Sequence, residues 1–95
     1  MAEGSMTRAE REAFLADVHV GVLAVDDPGR GPLTIPIWYL FEDGDVVISM
    51  EDTSKKYRLL QAAGRATMVA QTEAPPYRYV SVEGPVRFER PVDRD

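Results

Sequence analysis

The stretch Ser49-Met50-Glu51-Asp52-Thr53-Ser54-Lys55-Lys56-Tyr57 is where the sequence changes period. Before it, Val46–Met50 is apolar and β-branched, as strands are. After it, Leu59, Leu60 and Ala63 recur at helical spacing, so Ser54–Ala63 reads as a helix. Gly64 suits the left-handed position just past its end. Working outward, Asp43-Gly44 is a two-residue hairpin signal between two apolar runs. It joins Val46–Met50 to a strand over Leu33–Phe41, whose Pro36 belongs at an edge or bulge. Asp26–Gly31 is a turn, with Asp26 and Asp27 as turn residues, and Val18–Val25 is the strand before it. Thr7 and Glu10 have capping-box spacing, so a short helix precedes that strand. Downstream, Arg65–Gln71 is a fourth strand, and Ala74-Pro75-Pro76 is a loop. Tyr77–Glu89 is a fifth strand, with Gly84-Pro85 as a bulge or bend.

The order is therefore α-β-β-β-α-β-β: mainly β, α+β overall, with one helix between strands 3 and 4. Five strands of this length suggest a small barrel, closed or half-open, because closure removes exposed edges. Strand–helix alternation is absent, so a doubly wound sheet is not expected.

Composition narrows the function. The 95 residues suit one domain, set here at 7–95, with 1–6 as a tag-derived or disordered lead. A chain this size buries only about two-thirds of its unfolded surface, so its own core is modest. There is no cysteine and one histidine, His19. Thiolate metal sites, iron–sulfur clusters, a cysteine nucleophile and a two-histidine metal motif are excluded within one chain. Eleven Lys and Arg against sixteen Asp and Glu give a net charge of −5, which disfavours nucleic acid as a partner. No apolar run approaches the roughly 20 residues that span a bilayer. No basic and apolar leader opens the chain. These features lead to an expectation of a cytoplasmic protein with no membrane association.

The chemistry concentrates around the period change. Lys55 and Lys56 sit in the first turn of a helix, where the dipole disfavours cations by about 0.3–1 kcal/mol. A bound phosphate would reverse that penalty. The free N–H groups of the first turn, the hydroxyls of Ser49, Thr53 and Ser54, and one lysine would form an anion cradle. The plainer alternative is that Asp52 or Thr53 caps the helix and both lysines are solvated. Trp38 and Tyr39 fall on opposite faces of their strand and serve either as a stacking wall for a flat ligand or as core and dimer packing. His19 reads as a structural histidine, since no orienting carboxylate is near in sequence. Arg78 and Tyr79 are either substrate-facing or cross-strand partners. Glu83 belongs to a bend. With no nucleophile, acid–base pair or metal site of its own, an enzyme built on this chain would need a cofactor.

Taken in order, Gly21-Val22-Leu23-Ala24-Val25, Pro36-Ile37-Trp38-Tyr39-Leu40, Asp43-Gly44-Asp45, Ser54-Lys55-Lys56 and Val82-Glu83-Gly84-Pro85-Val86 resemble the pyridoxamine 5′-phosphate oxidase-like split β-barrel superfamily. The similarity is to its small oxidoreductases that use FMN or the deazaflavin F420. It covers about Thr7–Glu89. The resemblance implies a homodimer with the cofactor in a groove between subunits. It implies a phosphate held by Ser54 and Lys56 with Lys55 adjacent, Ser49 and Met50 along the cofactor tail, and Pro36, Ile37 and Trp38 along the ring. The implied function is hydride or electron transfer to a small organic substrate. The alternative is a non-catalytic dimer that binds a flavin, F420 or a haem-type ligand.

Two departures bear on this. Vitamin B6 oxidases of the superfamily carry an arginine on the second strand. Here the stretch is Leu33-Thr34-Ile35-Pro36, which argues against that substrate class. Family members also continue past the fifth strand with a helix and a sixth strand, whereas this sequence ends at Asp95. Either the barrel is completed differently, or the chain is truncated at its C-terminal end relative to the family; a missing last strand would expose an edge for the partner subunit to cover.

Overall fold

In a computed structural model, the described residues are 6–17 and 19–90. The readings of the first five residues, of Val18 and of the last five lie outside them. Helix α1 (Arg8–Ala16) is followed by β1 (Val20–Val25), β2 (Leu33–Trp38), β3 (Leu40–Glu42) and β4 (Asp45–Val47). Then come α2 (Lys55–Ala63), β5 (Arg65–Gln71) and β6 (Tyr79–Pro85).

Local chemistry accounts for the element ends. Thr7 Oγ1 accepts the N–H of Glu10, and the Glu10 carboxylate accepts the N–H of Thr7, a complete capping box. The Thr7 backbone N–H, and after it the Thr7 side chain, hold the Glu10 carboxyl below its ordinary range. At the far end of α2, Gly64 takes φ 72°, and its N–H closes on the Leu60 carbonyl. Asp43 and Gly44 both have positive φ, 51° and 83°, between the paired Glu42 and Asp45. That is the backbone twist a two-residue hairpin requires.

The fold is α+β, with two helices and two antiparallel sheets. Four strands form one sheet in the order β2-β1-β5-β6, and β3-β4 is a separate hairpin. The expected Leu33–Phe41 strand is therefore two strands. Its ladder with β1 ends at the Val20–Trp38 pair, and the chain breaks at Tyr39. There the Tyr39 ring folds down among the residues packed on the core, close to Gly21, where a Cβ would stand 2.8 Å from Met68 Sδ and 3.3 Å from Tyr39 Cδ1. Because of this split, the second helix lies between the fourth and fifth strands, not the third and fourth. The hairpin shares no ladder with the main sheet, so the described residues do not form a closed barrel. Of the expected bulge or bend at Gly84-Pro85, no bulge forms, and Glu83 sits in the regular ladder opposite Thr67 rather than in a bend. The β5–β6 register runs unbroken from Arg65–Pro85 to Gln71–Tyr79.

Alternation sorts the main sheet into two faces. Leu23, Val25, Ile37, Met68, Ala70 and Val80 point inward and pack with Leu15 of α1 and Leu59 and Leu60 of α2. Val20, Val22, Trp38 and Tyr79 point outward and are exposed. Among the described residues no helix is long and apolar enough to cross a membrane.

Candidate functional site

Edge strand β2 is where the split opens. The end of β2, with Tyr39 and Leu40, and the Val47–Ser49 segment at the end of the hairpin line a groove of about 410 Å³. Pro36, Ile37, Trp38, Ser49 and Lys56 line it, together with Tyr39, Leu40, Val47 and Ile48. Five of the eight residues singled out from the sequence thus meet in one place. Trp38 stands 71% exposed, so its ring is available as a wall.

The other three lie elsewhere. Met50 packs against the core. Ser54 is the N-cap of α2. Its Oγ accepts the N–H of Tyr57 and donates to the Glu51 carbonyl at 2.8 Å. The cap is therefore Ser54, not Asp52 or Thr53. Lys55 Nζ reaches 3.3 Å from a carboxylate oxygen of Asp27. Asp27 is buried and was read from the sequence only as a turn residue.

The two adjacent lysines therefore have different electrostatics. Lys55 is neutralised by a buried carboxylate. Lys56, about 100° further round the helix, is half-buried in the groove, and among the described residues it forms no ion pair. The N–H groups of Lys55 and Lys56, the first two of the helix, have no intrahelical acceptor. One unneutralised ammonium and two free N–H groups beside an aromatic wall suit the anionic end of a flat ligand. Leu40, Val47 and Ile48 were missed as groove residues because the sequence reading kept β2 and β3 as one strand. Tyr39 was considered with Trp38, but its fold toward Gly21 has no local signal. Burial pushes the Tyr39 phenol above its ordinary range, and the Asp17 carboxylate adds to the effect. The hydroxyl has no hydrogen-bond partner among the described residues.

A larger depression, about 860 Å³, adjoins the groove on the outer face. Val20 and Val22 line it, and their register partners are Trp38 and Pro36 of the groove. His19 and Arg78 belong to this second depression. The His19 ring stacks on Phe14 at 4.2 Å, but its Nε2 is buried with no hydrogen-bond partner among the described residues, so it is not the satisfied structural histidine the sequence suggested. Glu83 is taken up by Arg65, at 2.6 Å, and is not directed at the groove.

No curated protein matches the sequence. Solved structures do. A conserved hypothetical protein, Rv2991 from Mycobacterium tuberculosis, superposes with a TM-score of 0.81 at 26% identity, over 90% of this chain and 54% of its own. A protein described as an F420 reductase gives 0.74 at 25% identity, over 93% of this chain and 65% of its own. A FAD-binding protein, mll6688 from Mesorhizobium loti, shares the fold with a TM-score of 0.72 at 24% identity, over 84% of this chain and 58% of its own. The chain thus spans less than two-thirds of the length of each. The profile of the pyridoxamine 5′-phosphate oxidase family matches residues 7–94. With nearly the whole sequence inside that match, and a fold split between sheet and hairpin, the chain belongs to the pyridoxamine 5′-phosphate oxidase family.

Proposed function

We propose that this protein binds a flavin-type cofactor, FMN or F420, in the groove beside β2 and uses it as an oxidoreductase acting on a small organic substrate. The observation that carries this reading is the pairing of Lys56 with Trp38. An ammonium without a carboxylate partner among the described residues and an exposed aromatic ring line the same groove, about 410 Å³ in volume. Fold relatives described as an F420 reductase and as a FAD-binding protein support a cofactor of this type.

The residues present fit such a group. Lys56 and the first N–H groups of α2 would hold its phosphate, and Ser49 stands on the same wall. Pro36, Ile37 and Trp38 would lie along the ring and exclude water from one side of it. When bound, the cofactor supplies the hydride or electron transfer. The protein supplies binding, orientation and dryness. The absence of a basic residue from Leu33–Pro36 continues to argue against vitamin B6 oxidation.

The reading includes a homodimer with the groove at its interface. Val20, Val22, Trp38 and Tyr79 present an apolar stripe on the outer face of the sheet, and such a stripe marks an interaction surface. A second copy would cover the open side of the groove.

Titration of FMN and of F420 into the purified protein tests the reading. One of the two is expected to bind. Lys56→Ala is expected to weaken that binding by about 10- to 100-fold, the loss of one charge-assisted hydrogen bond. Raised salt should weaken the wild type more than this variant. Wild-type affinity in Lys56→Ala would place the phosphate elsewhere. Turnover of the bound cofactor with candidate acceptors then separates an enzyme from a non-catalytic binder. Mass spectrometry of any co-purifying small molecule identifies the ligand directly.

A further inference from the structure

Asp27 is 8% exposed and is the buried charged residue among the described residues. Its place in the chain is the β1–β2 connection, where its carbonyl accepts the N–H of Arg30 at 2.9 Å. Its carboxylate reaches outside that turn. Lys55 Nζ lies 3.3 Å from Oδ2, and Arg30 Nε lies 3.9 Å from the same oxygen. Lys55 is the first residue of α2, and Lys56 is the second. A loop on the main sheet is thereby clasped to the helix turn that lines the groove.

Each partner needs the other. A buried carboxylate without a cation carries an uncompensated desolvation cost. A lysine in the first turn of a helix opposes the dipole unless an anion is beside it. Adjacent helical side chains diverge by about 100°. Tying Lys55 to Asp27 therefore fixes the rotation of the first turn, and with it the direction of Lys56. On the opposite side the same turn is held by Tyr57 against Phe88, ring centroids 4.8 Å apart.

We propose that Asp27 is a positioning residue for the groove: through Lys55 it sets the first turn of α2 so that Lys56 and the first two N–H groups face the cofactor phosphate. This rests on the reading of the groove given above. The sign of one substitution separates positioning from field. Asp27→Asn removes a negative charge near an anion site, so by Coulomb's law alone it tightens binding. By positioning, it weakens binding.

The experiment measures the affinity of the wild-type ligand, FMN or F420, together with amide hydrogen exchange of the unliganded protein. Asp27→Asn is expected to weaken binding by about 3- to 10-fold, with a urea midpoint near that of the wild type. Lys55→Met should weaken it similarly. The double variant should be no weaker than the weaker single, since both break one interaction. Lys55→Arg should keep wild-type affinity. Without ligand, the Tyr57 and Arg58 amides, which donate to Ser54, should exchange faster in Asp27→Asn and unchanged in Lys56→Ala. Unchanged or tighter binding in Asp27→Asn, or unchanged exchange, would overturn the proposal. Should the wild type bind neither cofactor, the cofactor reading falls. The exchange comparison then still decides whether the clasp sets the turn.

Discussion

The two faces of the four-stranded sheet are built from the same strands and nearly the same residue types, yet they have opposite fates. Leu23 and Val22 are neighbours in β1. Leu23 is 3% exposed, in the core cluster with Leu15, Leu59 and Leu60, while Val22 is 38% exposed on the open face. The apolar character of β1 thus serves two purposes. One face builds the core, and the other supplies an apolar stripe that adjoins the groove. The lesson is that a β-branched run in a small domain need not be core throughout. Its partners, not its composition, assign it.

Substitution on the two faces should break this parity. Leu23→Ala is expected to cost about 2–5 kcal/mol, because it leaves a cavity that packed helices cannot close. Val22→Ala should cost under about 1 kcal/mol in the monomeric state. Urea unfolding of both variants at low protein concentration checks the difference. Equal losses would mean that Val22 is core.

The outer face has its own test. Val22→Glu places a charge in the stripe, and the rotated copy in a two-fold dimer would bring a second one into the same interface. Light scattering at micromolar concentration should show a dimer for the wild type and a shift to monomer for Val22→Glu. A wild-type monomer would remove the outer face as an interface.

Tyr39 marks the boundary between sheet and hairpin, and its effect should be smaller. Its hydroxyl is buried and unpaired, so Tyr39→Phe is expected to gain about 1 kcal/mol. The pH dependence sharpens this. Folding raises the Tyr39 phenol above its unfolded value, so the contribution is fully present below the unfolded value. It is lost as pH rises through the folded one. The alkaline fall in stability should flatten in the phenylalanine variant, as read by thermal melts across an alkaline series.

The smallest effect is expected at the far edge of the core, at the α1 cap. Folding lowers the Glu10 carboxyl through its bonds to Thr7. Its contribution is therefore present above the unfolded value and lost as pH falls through the folded one. Thermal melts of Glu10→Gln should show a shallower acid arm than the wild type. An identical arm would assign acid sensitivity to other carboxylates.

Much of this was legible in the sequence, for local reasons. The capping box at Thr7 and Glu10, the Asp43-Gly44 turn, the Gly64 cap and the period change at Ser54 rest on contacts within a few residues. Such contacts carry their own signature in residue type and spacing. Ser49 and Lys56 could be singled out because strand end and helix start follow each other directly, whereas Pro36, Ile37 and Trp38 were assigned to the ring side only through the family resemblance.

What only the tertiary structure decided depends on residues distant in the chain. The Tyr39 ring packs beside Gly21, eighteen positions earlier, where a side chain would crowd both Met68 and the ring. Lys55 and Lys56 look alike in sequence, and which of them is neutralised follows from where the Asp26–Gly31 turn folds back. No local pattern records that Asp27 lies 3.3 Å from one lysine and not the other. A carboxylate in a turn is ordinarily solvated. Burial against a helix start, which only the packed chain produces, turns it into a partner.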